Sequence, residues 1–350
     1  MAQSERVLNG NDPASLPLVW HYTTLDSLQL ILESGSLMAT EVSYQNDPRE
    51  PETANEVIHE ALQTLQGEKR YAAFATDAIR WRKQEHDSNG FIMGDATGAL
   101  INGSRFIFCA SVDPDNLYAW RTYAAGSQVG CAIGLDPLVP LGVVSDTDQA
   151  DVPMTSWRPV IYGEDELLAY ATDRLRAVGD VWNAADAEDQ VHVRRQVAAG
   201  VPHADAASDP TSFAVLVTDL ASAASEVTAV AKHASFRDER ETRLTVPDAS
   251  FAVTFSPGRS GPRPRIRLGT AARWGQVVST DRAPLPIRAI TIAPNASRDA
   301  ARTAQWLLLA NGYPLDPVAV FDEDADQPTM RWDSTPVIKF FTSTHPYRDV

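Results

Sequence analysis

The sequence predicts an α+β fold, with several short strands and helices between them or on one side. Three observations carry this. Short runs dense in apolar and β-branched residues, such as Arg105–Ser111 and 129–135, read as buried strands. Longer stretches with helical spacing or alanine-rich composition, such as 52–84 and 164–235, read as helices. The two kinds of segment interleave, with no internal repeat and no linker long enough to force a domain boundary.

Residues 1–16 are polar, with Asn9-Gly10 and Asp12-Pro13 as breakers, and read as a frayed leader to a single domain over 17–350. Residues 18–22 read as a strand and 24–34 as an amphipathic helix. Thr23 is placed to cap that helix, Asp26 follows three residues later, and Gly35 is a good stop. Leu25, Leu28, Ile31 and Leu32 form its apolar face. His21 is thereby expected to end a strand, where its side chain can reach a ligand. Residues 36–50 read as a loop. Next comes a helix over 52–84, striped by Val57, Ala61, Leu62 and Leu65, then a glycine-bearing loop over 85–103, together a helical insertion near 52–100. A strand at 105–111, a short helix at 117–124 and strands at 129–135 and 157–162 follow. The alanine-rich stretch 164–235 reads as a second helical insertion, broken near 198–211 by Gly200, Pro202 and Pro210. Strand patterns return at 240–245, 263–268 and 286–293. A helix over 298–311 closes on Asn311-Gly312, and 336–342 reads as a final strand.

Composition narrows the function. The 350 residues are 44% hydrophobic and 22% charged, as in a soluble globular protein, with ample material for a core. A formal charge of -16 opposes sequence-independent nucleic-acid binding unless a local patch overrides it, but an arginine cluster can still hold a pyrophosphate. Cys109 and Cys131, the two cysteines, lie in apolar runs and read as buried thiols. No basic-then-apolar leader or long apolar run is present, so a cytoplasmic location without a membrane partner is expected. The seven histidines are scattered without metal-site spacing, and no metal is expected. Phosphate-loop, dinucleotide and nucleophile-elbow signatures are absent.

Four groups can carry chemistry. His21 can hydrogen-bond a ribose hydroxyl, with Trp20 or Tyr22 to stack on a flat ring. Glu239, Glu241 and Arg243 share one face if 239–243 is extended. They are then either a solvated edge strand or two carboxylates aimed into a cleft, where one pKa rises or Arg243 supplies compensation. Tyr118, Trp120 and Tyr123 concentrate aromatics in one short segment, with Trp120 and Tyr123 on one helical face. Asn46-Asp47-Pro48-Arg49-Glu50 is a turn, or a charged loop closing over a ligand.

Taken in order, these segments resemble the bacterial domain-of-unknown-function 2971 group. The resemblance rests on His21-Tyr22-Thr23 through Gly35-Ser36-Leu37, Asn46–Glu50, Phe108–Ser111, Trp120–Ala124, Gly130–Gly134, Lys232 with Phe236, Glu239, Glu241 and Arg243, and Ser343–Arg348. It departs from that pattern at Ala110 and Thr242, where aromatics are usual, and in its long insertions at 75–103 and 165–230. That group is in turn distantly similar to ADP-ribosyltransferases of the His–Tyr–Glu type. The resemblance implies an ADP-ribosyltransferase-like split sheet, mixed or antiparallel, with helical insertions. It implies NAD as substrate, bound by His21, Tyr22, Thr23, Asn46, Trp120, Tyr123 and Arg243. His21 would hold a ribose, Tyr123 or Tyr118 would stack on nicotinamide, Glu241 would bind the nicotinamide ribose and stabilise the cation, and Glu239 would orient an acceptor or act as base. The activity implied is ADP-ribosyl transfer or NAD glycohydrolysis, in a toxin or phage-defence setting. The acceptor, whether protein, nucleic acid, small molecule or water, stays open. The competing readings are a non-catalytic nucleotide-sensing or protein-interaction module, and an unrelated hydrolase or nuclease.

Overall fold

The computed structural model describes residues 13, 16–45, 50–93, 105–123, 129–147, 149–184, 191, 195, 212–247, 249–258, 261–279, 283–294, 296–316, 319–322, 329–332 and 336–345. Most of the expected leader, Asn46–Arg49 of the charged loop, and the break near 198–211 lie outside these residues.

The fold is mixed α+β, built on one mixed sheet of 12 strands among the described residues. Strand β1 (Val19–Thr24) runs into helix α1 (Leu25–Ser34). The cap is Thr24 rather than Thr23: its side chain accepts from the Ser27 amide, because the strand runs two residues further than expected. His21 therefore sits inside β1 instead of ending it. Gly35 closes α1 in the left-handed conformation, as expected. The expected loop 36–50 contains strand β2 (Leu37–Glu41) and a 3-10 turn (Val42–Tyr44), and helix α2 (Glu50–Gln66) starts at its end. Leu37 and Ala39 enter the core, which is why this short segment pairs as a strand. The helical stretch 52–84 is two helices, α2 and α3 (Ala72–Met93), so 85–93 is helical and not loop.

Strand β3 (Arg105–Ser111) organises the sheet. One edge pairs along its whole length with β7 (Glu241–Pro247). The other edge meets β2 at Phe106 and Ile107, and meets β1 at the single registered pair Trp20↔Ser111. Beyond that pair β1 departs from β3, while it pairs over all six residues with β4 (Gly130–Leu135). The sheet is thus split between β1 and β2 on this edge, and the His21 side chain reaches across to the Cys109 carbonyl. Beyond β4 lie β11 (Ile287–Ile292) and β14 (Lys339–Thr342). Beyond β2 lies β9 (Arg263–Thr270), flanked by β5 (Leu141–Val144) and β8 (Thr254–Ser256), with β10 (Val277–Val278) outside β5. The expected strand 157–162 reduces to β6 (Arg158–Pro159) on β7 and a bridge from Ile161 to Ala231. Strands β12 (Ala319–Asp322) and β13 (Thr329–Trp332) pair separately.

One face of the sheet packs under α1 and a late helix (Arg298–Ala310, α7 in chain order) around Leu28, Leu37, Ile133, Leu244 and Ile290. On the other face, Trp20, Tyr22 and Ala132 pack against Ala119 and Trp120 of α4 (Leu117–Tyr123). Helices α2, α3, α5 (Glu164–Ala184) and α6 (Ser212–Val230) bury a second core around Leu62, Phe74, Leu175 and Val227. The stripe Val57, Ala61, Leu62 and Leu65 is buried there as the spacing required.

Candidate functional site

A small cavity of about 100 Å³ opens at the sheet split. Strand alternation sends Trp20 and Tyr22 to one face of β1 and His21 to the other, yet all three line it because the gap is open between β1 and β3. Gln45, Cys109 and Ser111 supply further wall, Tyr123 comes from the end of α4, and Lys232, Glu239 and Glu241 supply the charge.

The glutamates are not on one extended segment. A 3-10 turn (Ala234–Glu239) ends at Glu239, and Arg240 takes a left-handed backbone with φ 49° before β7 begins at Glu241. That turn brings Glu239 and Glu241 onto the same ammonium: Lys232 Nζ donates to Glu239 Oε2 and to Glu241 Oε2, each at 2.5 Å. Arg243 Nε donates to Glu241 Oε1 at 2.8 Å and its Nη2 to Oε2 at 3.2 Å. Arg243 Nη1 also caps the chain leaving α6, donating to the carbonyls of Ala229 and Ala231. The group is buried, with Arg243 only 1% exposed and Glu241 5%. The solvated-edge alternative is therefore overturned: β7 is paired on both sides, and its charges compensate one another internally.

Electrostatics separates the two carboxylates. Burial alone raises the Glu241 pKa, but Arg243 and Lys232 outweigh it and hold the carboxyl down at about 2. Burial wins at Glu239, whose pKa is raised despite Lys232. Glu239 Oε1 accepts a longer 3.3 Å bond from the Tyr123 hydroxyl. Burial and the neighbouring Glu241 push the Cys109 thiol well up, so it stays protonated and is a poor nucleophile. His21 is lowered by burial, so it is neutral at pH 7. Its Nδ1 lies 3.0 Å from a carbonyl oxygen, which only accepts, so Nδ1 carries the proton and Nε2 is left as the acceptor.

The walls are themselves braced. Ser111 Oγ donates to the Glu239 carbonyl, and Asn116 Nδ2 donates to that of Asp238, fixing the turn. The Tyr22 hydroxyl donates to the Asp113 carbonyl and accepts from the Asn116 amide, and its ring meets Trp120 edge-on at 4.6 Å. Asp115 accepts from Trp120 Nε1 and from the Thr344 amide, so 343–345 secures the start of α4.

Of the residues singled out in the sequence, His21, Tyr22, Tyr123, Glu239 and Glu241 converge on the cavity. Arg243 stands behind Glu241, and Trp120 stands behind Tyr22. Thr23 is not among the lining residues, and Asn46 lies outside the described residues. Both cysteines are free thiols. Cys131 is buried as expected, but Cys109 is half-buried and lines the cavity. Lys232 is named in the sequence only as part of the resemblance, beside Glu239, Glu241 and Arg243, and without a role. Among the described residues there is no grouping of three or more potential metal ligands, and no helix is long and apolar enough to cross a membrane. No family model matches the chain, and no curated protein or solved structure is detectably similar to it.

Proposed function

We propose that the cavity cleaves the nicotinamide–ribose bond of NAD and passes ADP-ribose to an acceptor or to water. The observation that carries this reading is the pair of buried carboxylates held on one ammonium beside aromatic walls, at a split in the sheet. The distant resemblance to ADP-ribosyltransferases supports it.

The cavity is well below the roughly 300–1,000 Å³ of pockets that enclose whole ligands. It suits a single ring, with the remainder of a dinucleotide lying outside along the split. Tyr123 and Tyr22 stack on the nicotinamide, and His21 Nε2 accepts from a ribose hydroxyl. The C1′–N bond breaks heterolytically, and its electron pair neutralises the pyridinium nitrogen. The cationic C1′ is then captured by an acceptor lone pair, whose proton passes to Glu239. Glu239 is assigned this role because its Oε1 holds only the long bond from the Tyr123 hydroxyl, whereas both Glu241 oxygens are bound by the cations Arg243 and Lys232. Its raised pKa also makes it the better base. Glu241 keeps the anionic charge in place and holds Lys232.

The test is nicotinamide and ADP-ribose release from NAD, followed by chromatography beside Glu239→Gln and Glu241→Gln. Release by the wild type with a loss of at least ~100-fold in Glu239→Gln is expected. Equal release by both proteins removes Glu239 from the chemistry. The full internal pairing of Glu241 favours a second reading, a nucleotide-sensing module; NAD binding in calorimetry without release in the presence of candidate acceptors selects it.

A further inference from the structure

We propose that Arg263, Arg265 and Arg267 on β9 form a phosphate-binding site that takes the vicinal phosphates of a small ligand, a free diphosphate or a nucleoside diphosphate. The three residues alternate with Pro264, Ile266 and Leu268, of which Ile266 and Leu268 face the core. Their side chains therefore share the opposite face, successive ones about 7 Å apart along the strand. Long arginine side chains converge easily over that distance, and a guanidinium fork matches phosphate oxygens bidentately.

The row has no anionic partner among the described residues. None of the three appears in an ion pair, and Arg265 Nε is buried without a hydrogen-bond partner. The residues registered across from the row are Thr254 and Ser256 on β8 and Met38 and Thr40 on β2, none a carboxylate. All three arginines are half-buried. Burial and the neighbouring Arg263 both lower the Arg265 pKa, the mark of a cation that lacks an anion. Three half-buried cations in a row on one strand face repel one another, a cost that a bound anion relieves.

One member of the row is also linked to the cavity. Arg265 acts electrostatically on His21, and its registered neighbour Thr40 accepts through its carbonyl from Gln45, a lining residue. The overall acidity disfavours a long polyanion and favours a compact one.

Calorimetry with inorganic pyrophosphate, ADP and a single-stranded oligonucleotide, in parallel with thermal unfolding, tests the site without requiring turnover. A failure to release nicotinamide therefore leaves it standing. Expected are binding of pyrophosphate or ADP by the wild type, a rise in its melting temperature, and at least ~10-fold weaker binding by Arg265→Gln. ADP binding well above pyrophosphate makes the ligand a nucleotide; equal binding makes it the diphosphate alone. Ligand-free Arg265→Gln should melt no lower than the wild type, because a repulsive charge is removed. If that variant does not fold, Arg263→Gln and Arg267→Gln carry the test. Absence of binding by the wild type, undiminished binding by the arginine variants, or binding of the oligonucleotide alone overturns the proposal.

Discussion

Lys232 places one positive charge on two carboxylates, and Arg243 shares one of them. Two cations and two anions leave the buried group neutral, so its stability depends on every member. Removing one leaves an uncompensated buried charge, which costs about 3–5 kcal/mol. Lys232→Met is expected to lose that much in urea denaturation at pH 7. Glu241 adds a pH dependence of known sign. Its pKa falls from the ordinary 4.5 to about 2 on folding. It therefore contributes stability that is fully present above pH 4.5 and is lost as the pH falls through about 2. The contribution is of the order of 3 kcal/mol. Glu239 works in the opposite direction, since its raised pKa favours the folded state when it is protonated. Urea midpoints measured from pH 7 to pH 2 should show the acid loss in the wild type and a flatter, lower profile in Glu241→Gln. For His21, nitrogen chemical shifts should report a neutral ring protonated on Nδ1 at pH 6.5, where a free imidazole is half charged; a charged ring at that pH contradicts the lowering by burial, and a neutral ring protonated on Nε2 contradicts the Cys109 geometry.

At the scale of the element, one residue decides how the glutamates meet. Arg240 holds a left-handed backbone between the 3-10 turn and β7, a conformation that costs a non-glycine residue about 1 kcal/mol or more. Arg240→Gly removes that strain, so only a small net change is expected, while Arg240→Val should destabilise by about 1–2 kcal/mol because a branched Cβ tolerates this backbone poorly. Urea denaturation of the pair checks it. The same turn explains what the sequence could disclose. Alternation from 239 to 243 correctly joined Glu241 to Arg243, which do share a strand face, but a run of charges does not reveal a turn and a backbone reversal of hand within it. Helix α1 was legible because its apolar stripe and glycine stop agree locally, although its cap was placed one residue early, at Thr23 instead of Thr24. Strand β2 was not, because Leu37–Glu41 becomes a strand only by pairing with β3 and β9, both remote in sequence. Likewise, His21, Tyr22, Tyr123 and the glutamates were visible as residue types, whereas the ammonium that unites the carboxylates is recognisable only once α6 is laid against β7.

At the scale of the whole molecule, the sheet core and the helical core meet at the charged cluster, because Lys232 follows directly on α6 while Glu241 and Arg243 belong to β7. Packing in the helical core therefore bears on the site. Phe74 is fully buried there and lies against Trp182. Phe74→Ala is expected to cost about 3–5 kcal/mol and to speed amide exchange along α6 ahead of β3. Faster exchange at β3 alone contradicts the link. The split sheet also has a consequence in time. Ser111 and Glu239, which the cavity requires side by side, stand 128 residues apart in the chain. At about 5–20 residues per second, a ribosome needs roughly 6–26 s to supply the second after the first. Throughout that interval β1 and β3 can exist, but their charged partners have not been made. The nascent chain lacks its buried ammonium–carboxylate cluster until β7 emerges, so the cavity is complete only after most of the described sheet has been synthesised.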